Sequence, residues 1–266
     1  MNTFARATRS GSIACIVLAS TLACAALLGC SGTQARDEAR AEQSEYHFQL
    51  AYGYYLSNES PMAIRELREA LVHDDRNTSA LLLLGVIFQG RRDFVNAEHY
   101  YRTALDISPN LHEARNNLGT VLLHTERWDE AVELFSALTR VDIYNTPQHA
   151  HNNLGWALYN LGRYQEALDQ FELAIMFEPD YCLAYNNKGM ALERLGHTRD
   201  AQRAYDGAVR RCATYAEPHY RLAVLLVQSS DEVERAFELF QRCYDMQPES
   251  LYGQRCFEYL SLSRAR

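Results

Sequence analysis

Apolar residues along this chain fall on a helical period that itself repeats. Phe94, Ala97, Tyr101 and Ala104 are three or four residues apart, as are Tyr164, Ala167, Phe171 and Ala174, so each set lies on one face of a helix. Leu84-Gly85 precedes the first set and Leu154-Gly155 the second; Pro109 and Pro179 follow them. Asn116-Asn117-Leu118-Gly119, Asn152-Asn153-Leu154-Gly155 and Asn186-Asn187-Lys188-Gly189 recur at spacings of 36 and 34 residues. Self-similarity at that period predicts stacked helix-turn-helix units. Gly or Ala lets two helices approach closely, a bulky residue fills the space beside it, and Pro ends the second helix.

The predicted units are 44–77, 78–111, 112–147, 148–181, 182–215 and 216–250, closed by a capping helix over 251–266. The first unit has Leu50, Ala51, Tyr54, Ala63, Leu67 and Ala70 but Asp75 in place of the terminal Pro. The third has Leu138 where a small residue is expected and two extra residues before Gln148; the fifth has Lys188 for Leu and Ala213 for Pro. The sixth keeps Ala223, Ala236, Phe240, Cys243 and Pro248 after a one-residue insertion near Ser229-Ser230. Leu251, Tyr252, Phe257, Tyr259 and Leu260 supply the cover that the last repeat needs over its open apolar face. The pattern resembles the tetratricopeptide repeat over almost all of the chain after residue 43. That resemblance implies an all-α fold, a right-handed superhelix of six repeats plus a C-terminal capping helix. Composition agrees: 13 Gly and 6 Pro in 266 residues are too few for a sheet protein full of tight turns.

The first 43 residues read differently. Residues 1–29 carry Arg6 and Arg9, an apolar run from Ile13 to Leu28, and then Leu27-Leu28-Gly29-Cys30 before polar Ser31-Gly32-Thr33-Gln34. This is the layout of a secretory signal, with an uncleaved inner-membrane helix as the alternative; the run is shorter than the roughly 20 residues a span requires. Leu-Leu-Gly-Cys resembles a bacterial lipobox. The resemblance implies cleavage before Cys30, a diacylglyceryl thioether on its sulfur and acylation of the new amine. Ser31 is not the Asp that in such lipoproteins signals inner-membrane retention, so an outer-membrane anchor facing the periplasm is expected. Residues 30–43, with Arg36, Asp37, Glu38, Arg40 and Glu42 and no apolar period, read as the lipidated Cys and a tether, with the joining of its last turn to the first helix as the alternative.

Export makes the four later cysteines, Cys182, Cys212, Cys243 and Cys256, candidates for disulfides in one of three connectivities. Cys182 and Cys212 are symmetric about the turn at His197, and Cys243 and Cys256 about Glu249-Ser250, which favours pairing 182 with 212 and 243 with 256. The alternative is that Cys243 is simply a small residue packed at a helix crossing.

The net charge of −8 comes with no run of Lys and Arg that would neutralise phosphates, so no nucleic-acid partner is expected. No P-loop, dinucleotide-binding Gly turn, Gly-x-Ser-x-Gly elbow or His-Glu-x-x-His helix occurs; His112-Glu113 lacks the second His. His124, His149 and His151 read as solvated side chains and not as metal ligands. No catalytic residue, cofactor, metal or small-molecule substrate is expected.

Function should therefore lie on the inner surface. In tetratricopeptide arrays the first helix of each pair lines a groove, which places there Phe48, Tyr52 and Tyr55; Leu82, Val86 and Gln89; Asn116, Thr120 and Leu123; Asn152, Trp156 and Tyr159; and Asn186, Met190 and Glu193. An aromatic, apolar stripe of this kind suits an amphipathic helix laid in a groove, unless single members are buried between repeats. Asn117, Asn153 and Asn187 resemble the asparagine ladder by which some repeat proteins hold a peptide backbone; the alternative is a structural hydrogen bond between helices.

With lipobox, repeats and groove together, the chain resembles the outer-membrane pilotin lipoproteins of type IV pili, the PilF/PilW/Tgl family, and within it most closely the Tgl branch. The segments that carry this are Ala97 to Leu105, Asn116 to Gly119, and Asp142-Ile143-Tyr144 with its lengthened turn before Asn152. The extra cysteines and the Cys-bearing closing helix depart from the PilF pattern. The resemblance implies a lipid-anchored protein that binds secretin subunits through apolar or amphipathic helices and promotes secretin assembly for pilus biogenesis and pilus-driven motility. The alternative is a general periplasmic scaffold recruiting cell-envelope proteins. Cells expressing Cys30→Ser should incorporate no labelled palmitate into this protein and should release it from the membrane fraction; labelling equal to that of the unaltered chain would refute lipidation at Cys30.

Overall fold

The computed structural model describes the backbone of residues 12–141, 144–212, 214–229 and 232–264, and side chains from residue 34 to 262 within those segments. The described residues form thirteen α-helices and no strand. Two compact units divide at Arg92 and Asp93, inside the expected second repeat.

The first unit holds α1 (Ser12–Leu56), α2 (Ser60–His73) and α3 (Thr78–Gly90). Helix α1 packs along α2, and α2 against α3. Ala51, Ala63, Leu67 and Ala70 are fully buried, so the small residues and Leu67 form the seam that their spacing predicts. Polar contacts pin the same seam. His47 Nδ1 lies 2.8 Å from Glu66 Oε2, and Arg65 grips the other carboxylate oxygen; these two partners hold Glu66 below the usual carboxylate range although it is buried. Asn77 caps α3, accepting from the Ala80 N–H at 2.9 Å while its amide donates to the buried Ser44 hydroxyl.

One boundary differs from expectation. Helix α1 does not begin at Ser44; it runs without a break through residues 30–43. Those residues are rich in Ala, Arg, Glu and Gln, all good helix formers, and Arg40 reaches back to the His73 carbonyl at 3.0 Å. Helix propensity and this tie outweigh the absence of an apolar period. Of the signal expected over residues 1–29, residues 1–11 lie outside what is described, as does the side chain of Cys30.

The second unit holds α4 (Phe94–Ile107), α5 (His112–His124), α6 (Trp128–Leu138), α7 (Pro147–Asn160), α8 (Tyr164–Phe177), α9 (Cys182–Arg194), α10 (Thr198–Arg211), α11 (Ala216–Ser229), α12 (Val233–Met246) and α13 (Leu251–Arg264). First helices thus start at 78, 112, 147, 182 and 216, against expected unit starts of 78, 112, 148, 182 and 216. Pro109, Pro179 and Pro248 each stand two residues past a helix end, where a residue without an N–H cannot extend the helix.

A close approach repeats down the pairs. A Cβ built on Gly119 would lie 2.5 Å from the Phe135 ring, one on Gly155 would lie 2.6 Å from the Phe171 ring, and one on Gly189 would collide with Tyr205. All three rings are fully buried. A second device sits in the turns within pairs, where Asn58, Arg92, Glu126, Gly162 and Gly196 adopt positive φ at the repeat spacing. Glycine takes this conformation freely; the other residues accept roughly 1–2 kcal/mol of strain to make the same turn.

Disulfides tie the C-terminal pairs. Cys182 at the start of α9 joins Cys212 just after α10, with Cα atoms 5.9 Å apart, and Cys243 of α12 joins Cys256 of α13 at 6.2 Å. The antiparallel geometry brings residues equidistant from a turn side by side, so the pairing follows the symmetry of the sequence.

Gly155→Ala should destabilise the protein by about 1–3 kcal/mol, because Phe171 and the Ala167 carbonyl stand in the space the methyl needs. Gly53→Ala, with nothing within 4 Å, should be neutral or stabilising by up to about 1 kcal/mol. Urea-unfolding midpoints check both, and equal effects would contradict this account of the seam.

Candidate interaction groove

The two units each carry part of the expected inner stripe. In the first, Tyr52 and Tyr55 are 45% and 37% exposed, and Phe48 is half-buried. Their positions on α1, four and three apart, put the three rings on one face, with successive centroids 6.3 and 6.4 Å apart. Leu82, Val86 and Gln89 of α3 are half-buried.

In the second unit α5 contacts α7, and α7 contacts α9, so the first helices form a continuous wall. Gly155 turns toward α8, against Phe171, and Leu154 is buried. Trp156, about 100° around the helix from Gly155, points away from that seam; Tyr159, only about 40° from Gly155, lies at the edge of the seam beside the start of α8, and both remain half-buried. Their rings stack at 5.4 Å with planes 8° apart. Tyr159 also meets Tyr164 at 5.3 Å, and the Arg194 guanidinium lies 4.5 Å over the Tyr164 ring. This gives a preformed aromatic plate with a cation at its edge. Leu123 and Thr120 of α5 are half-buried, and the Thr120 hydroxyl donates to the Asn117 carbonyl at 2.7 Å.

The asparagines depart from expectation. Asn152 is not a groove residue: it is 2% exposed, and its Oδ1 accepts from Asn187 Nδ2 at 3.0 Å. Asn187 is correspondingly unavailable as a ladder residue, being 5% exposed with its amide spent on that bond. A buried amide must find a partner inside the protein, and the neighbouring repeat supplies it. Asn117 and Asn153 stay half-buried, each accepting from the preceding Asn, at 3.3 and 3.5 Å. Asn116 is half-buried, with its Oδ1 enclosed and unpaired among the described residues. Asn186 and Met190 are buried too, the first donating to the Tyr215 hydroxyl at 3.2 Å.

The wall changes character toward α11. Glu217 accepts from the Tyr215 hydroxyl at 2.8 Å and the Tyr252 hydroxyl at 2.6 Å, and pairs with Arg221 at 2.8 Å. Arg221 also lies 3.5 Å from Glu193. Burial pushes Glu193 above the usual carboxylate range, with the Arg221 charge opposing. Burial, reinforced by Glu217, raises the Tyr215 and Tyr252 hydroxyls. Sequence reading found the groove position of Glu193 but missed this polar knot; the Glu217 and Arg221 spacing of four was its only local sign. The knot is internally satisfied and leaves little for a ligand, whereas the aromatic plate is open.

Histidines are used in packing. His124 stacks on Phe94 at 5.1 Å, His149 Nδ1 lies 3.0 Å from the Tyr181 hydroxyl, and His151 lies 2.9 Å from Gln170 Oε1 while stacking on Phe177.

Family models described as tetratricopeptide repeat match residues 48–112, 110–176 and 186–250. The type IV pilus assembly protein PilF of Pseudomonas aeruginosa is 30% identical over 123 residues, 44% of this chain. That match spans about half of the length of that relative. Among solved structures, PilW, described as a widely conserved type IV pilus biogenesis factor, superposes with a TM-score of 0.71 at 22% identity, over 80% of this chain and 98% of its own. P. aeruginosa PilF superposes at 0.69, also at 22% identity, over 82% and 97%. YrrB, described as having an unusual peptide-binding site, superposes at 0.54 with 19% identity, over 72% and 97%. These structural likenesses speak to the fold. Helix pairs at a 34-residue period, Gly-to-aromatic seams and the family matches agree, and the chain belongs to the tetratricopeptide-repeat proteins.

Proposed function

We propose that this chain is a lipid-anchored pilotin of the Tgl kind, held in the outer membrane by acylated Cys30 and facing the periplasm, where it binds secretin subunits and promotes their assembly for type IV pilus biogenesis. The observation that carries the reading is the similarity to P. aeruginosa PilF, a type IV pilus assembly protein. Of the segments that suggest the Tgl branch, Tyr144 is half-buried against His112, while Asp142 and Ile143 lie outside the described residues.

The chemistry of the groove fits the task. A secretin subunit awaiting insertion must shield apolar segments from water, and a half-exposed aromatic plate offers large contact area with little side-chain entropy to lose. Trp156 and Tyr159 are already stacked before a partner arrives. Arg194 at the edge gives an acidic or polar flank of the bound helix a partner. The lipid keeps the complex at the membrane that the secretin enters.

A strain lacking the protein should lose detergent-resistant secretin multimers; normal multimers and normal pili would overturn the proposal in favour of a general periplasmic scaffold. Trp156→Glu should weaken secretin capture about tenfold or more without shifting the thermal midpoint appreciably, since the ring is half-exposed. Unchanged capture would remove the aromatic plate from the binding surface.

A further inference from the structure

Helix α13 has two unlike faces. Gly253, Cys256 and Leu260 are buried, the Cys256 disulfide fixes the helix to α12, and Tyr259 stacks on Phe240 at 4.5 Å. On the opposite side Leu251, Arg255, Glu258 and Leu262 stand at i, i+4, i+7 and i+11, within a stripe about 60° wide, and all four are exposed. Leu251 and Leu262 are 60% and 68% exposed. A closing helix of a repeat array ordinarily turns a polar face outward, and this one carries leucine at both ends of the stripe.

The stripe is complementary to itself. Read in the reverse direction, Leu-Arg-Glu-Leu becomes Leu-Glu-Arg-Leu. In one antiparallel register, therefore, Leu251 faces Leu262 and Arg255 faces Glu258, and a two-fold axis repeats both pairs. Among the described residues neither Arg255 nor Glu258 has an ion-pair partner in its own chain; the Arg255 guanidinium rests 5.8 Å from the Tyr220 and Tyr252 rings. Phe257 is 50% exposed and lies against Tyr244 at 5.2 Å, bordering an open cavity of about 300 Å³ that Leu260 also lines.

We propose that this face of α13 is the contact of a symmetric dimer, and that its occupant is α13 of a second copy of this chain. Matching both the apolar and the charged positions to their own reversal is a property a two-fold contact requires and a foreign helix does not. The disulfide to α12 holds the stripe in a fixed orientation, so little order has to be gained on docking. One helix face offers less than the roughly 800 Å² per partner of a tight complex, so the dimer is weak, with a dissociation constant in the micromolar range or above.

Sedimentation equilibrium of the full chain in a density-matched neutral detergent, up to about 0.5 mM protein, tests this. A monomer–dimer equilibrium that weakens with added salt is expected. Arg255→Glu turns two attractive pairs into repulsive ones and should weaken association about tenfold, while Arg255→Glu combined with Glu258→Arg should restore it. Circular dichroism checks that these exposed substitutions leave the helices intact. A monomer throughout the range overturns the proposal, as does a dimer indifferent to Arg255→Glu or a double variant no better than the single one.

Discussion

Everything else in this structure depends on how closely the two helices of a pair approach. In α5–α6, α7–α8 and α9–α10 a glycine on the first helix lies against an aromatic ring sixteen residues later, with no space for a methyl between them. That contact sets the distance between the helices and fixes the rotation of the first helix about its axis. The rotation decides which residues look outward. Once Gly155 is committed to Phe171, Trp156 is turned about 100° out of the seam to the wall, and Tyr159 at the seam's edge stacks on it and meets Tyr164. Packing of the most ordinary kind thus positions the chemistry of binding.

The turns obey the same economy. A left-handed residue recurs every 34 to 36 positions from Asn58 to Gly196, and inside each unit it reverses the chain within a pair. Three of these turns use residues other than glycine, so the geometry is imposed by the seam and not only allowed by the residue. Between repeats the ties are more varied: the Asn187–Asn152 bond joins α9 to α7, and the Glu217 knot joins α11 to α13. The C-terminal pairs are further bound by two disulfides, whereas the described part of the first unit depends on Ala and Leu burial and the Glu66 contacts.

A partner surface built this way is stiff. Aromatic side chains stacked on one another lose little freedom when they bind, and the cation over Tyr164 sharpens the edge of the plate. The inner wall is not chemically uniform: it offers rings on α7 and a closed polar knot by α11. A ligand seeking apolar cover therefore has a reason to engage one part of the wall and pass over another.

From the sequence alone came the helix pairs, their period, the start of each first helix after α1 within a residue, and the cysteine partners. Those features are legible because they rest on local spacing: amphipathic periodicity, glycine at a crossing, proline after a helix, symmetry about a turn. Tertiary structure decided which polar side chains were free. Asn152 and Asn153 are neighbours of one type, yet one is sealed by the amide of Asn187 and the other faces outward in part. Glu193 is only one more charge in the sequence, but Arg221 from another helix, itself paired with Glu217, ties it into a half-buried knot. Helix α1 ran past its expected start for a related reason, since Arg40 finds the end of α2 only when the chain has folded back. Spacing determines where a side chain points, whereas its partners come from distant parts of the chain, and only packing brings them within bonding distance.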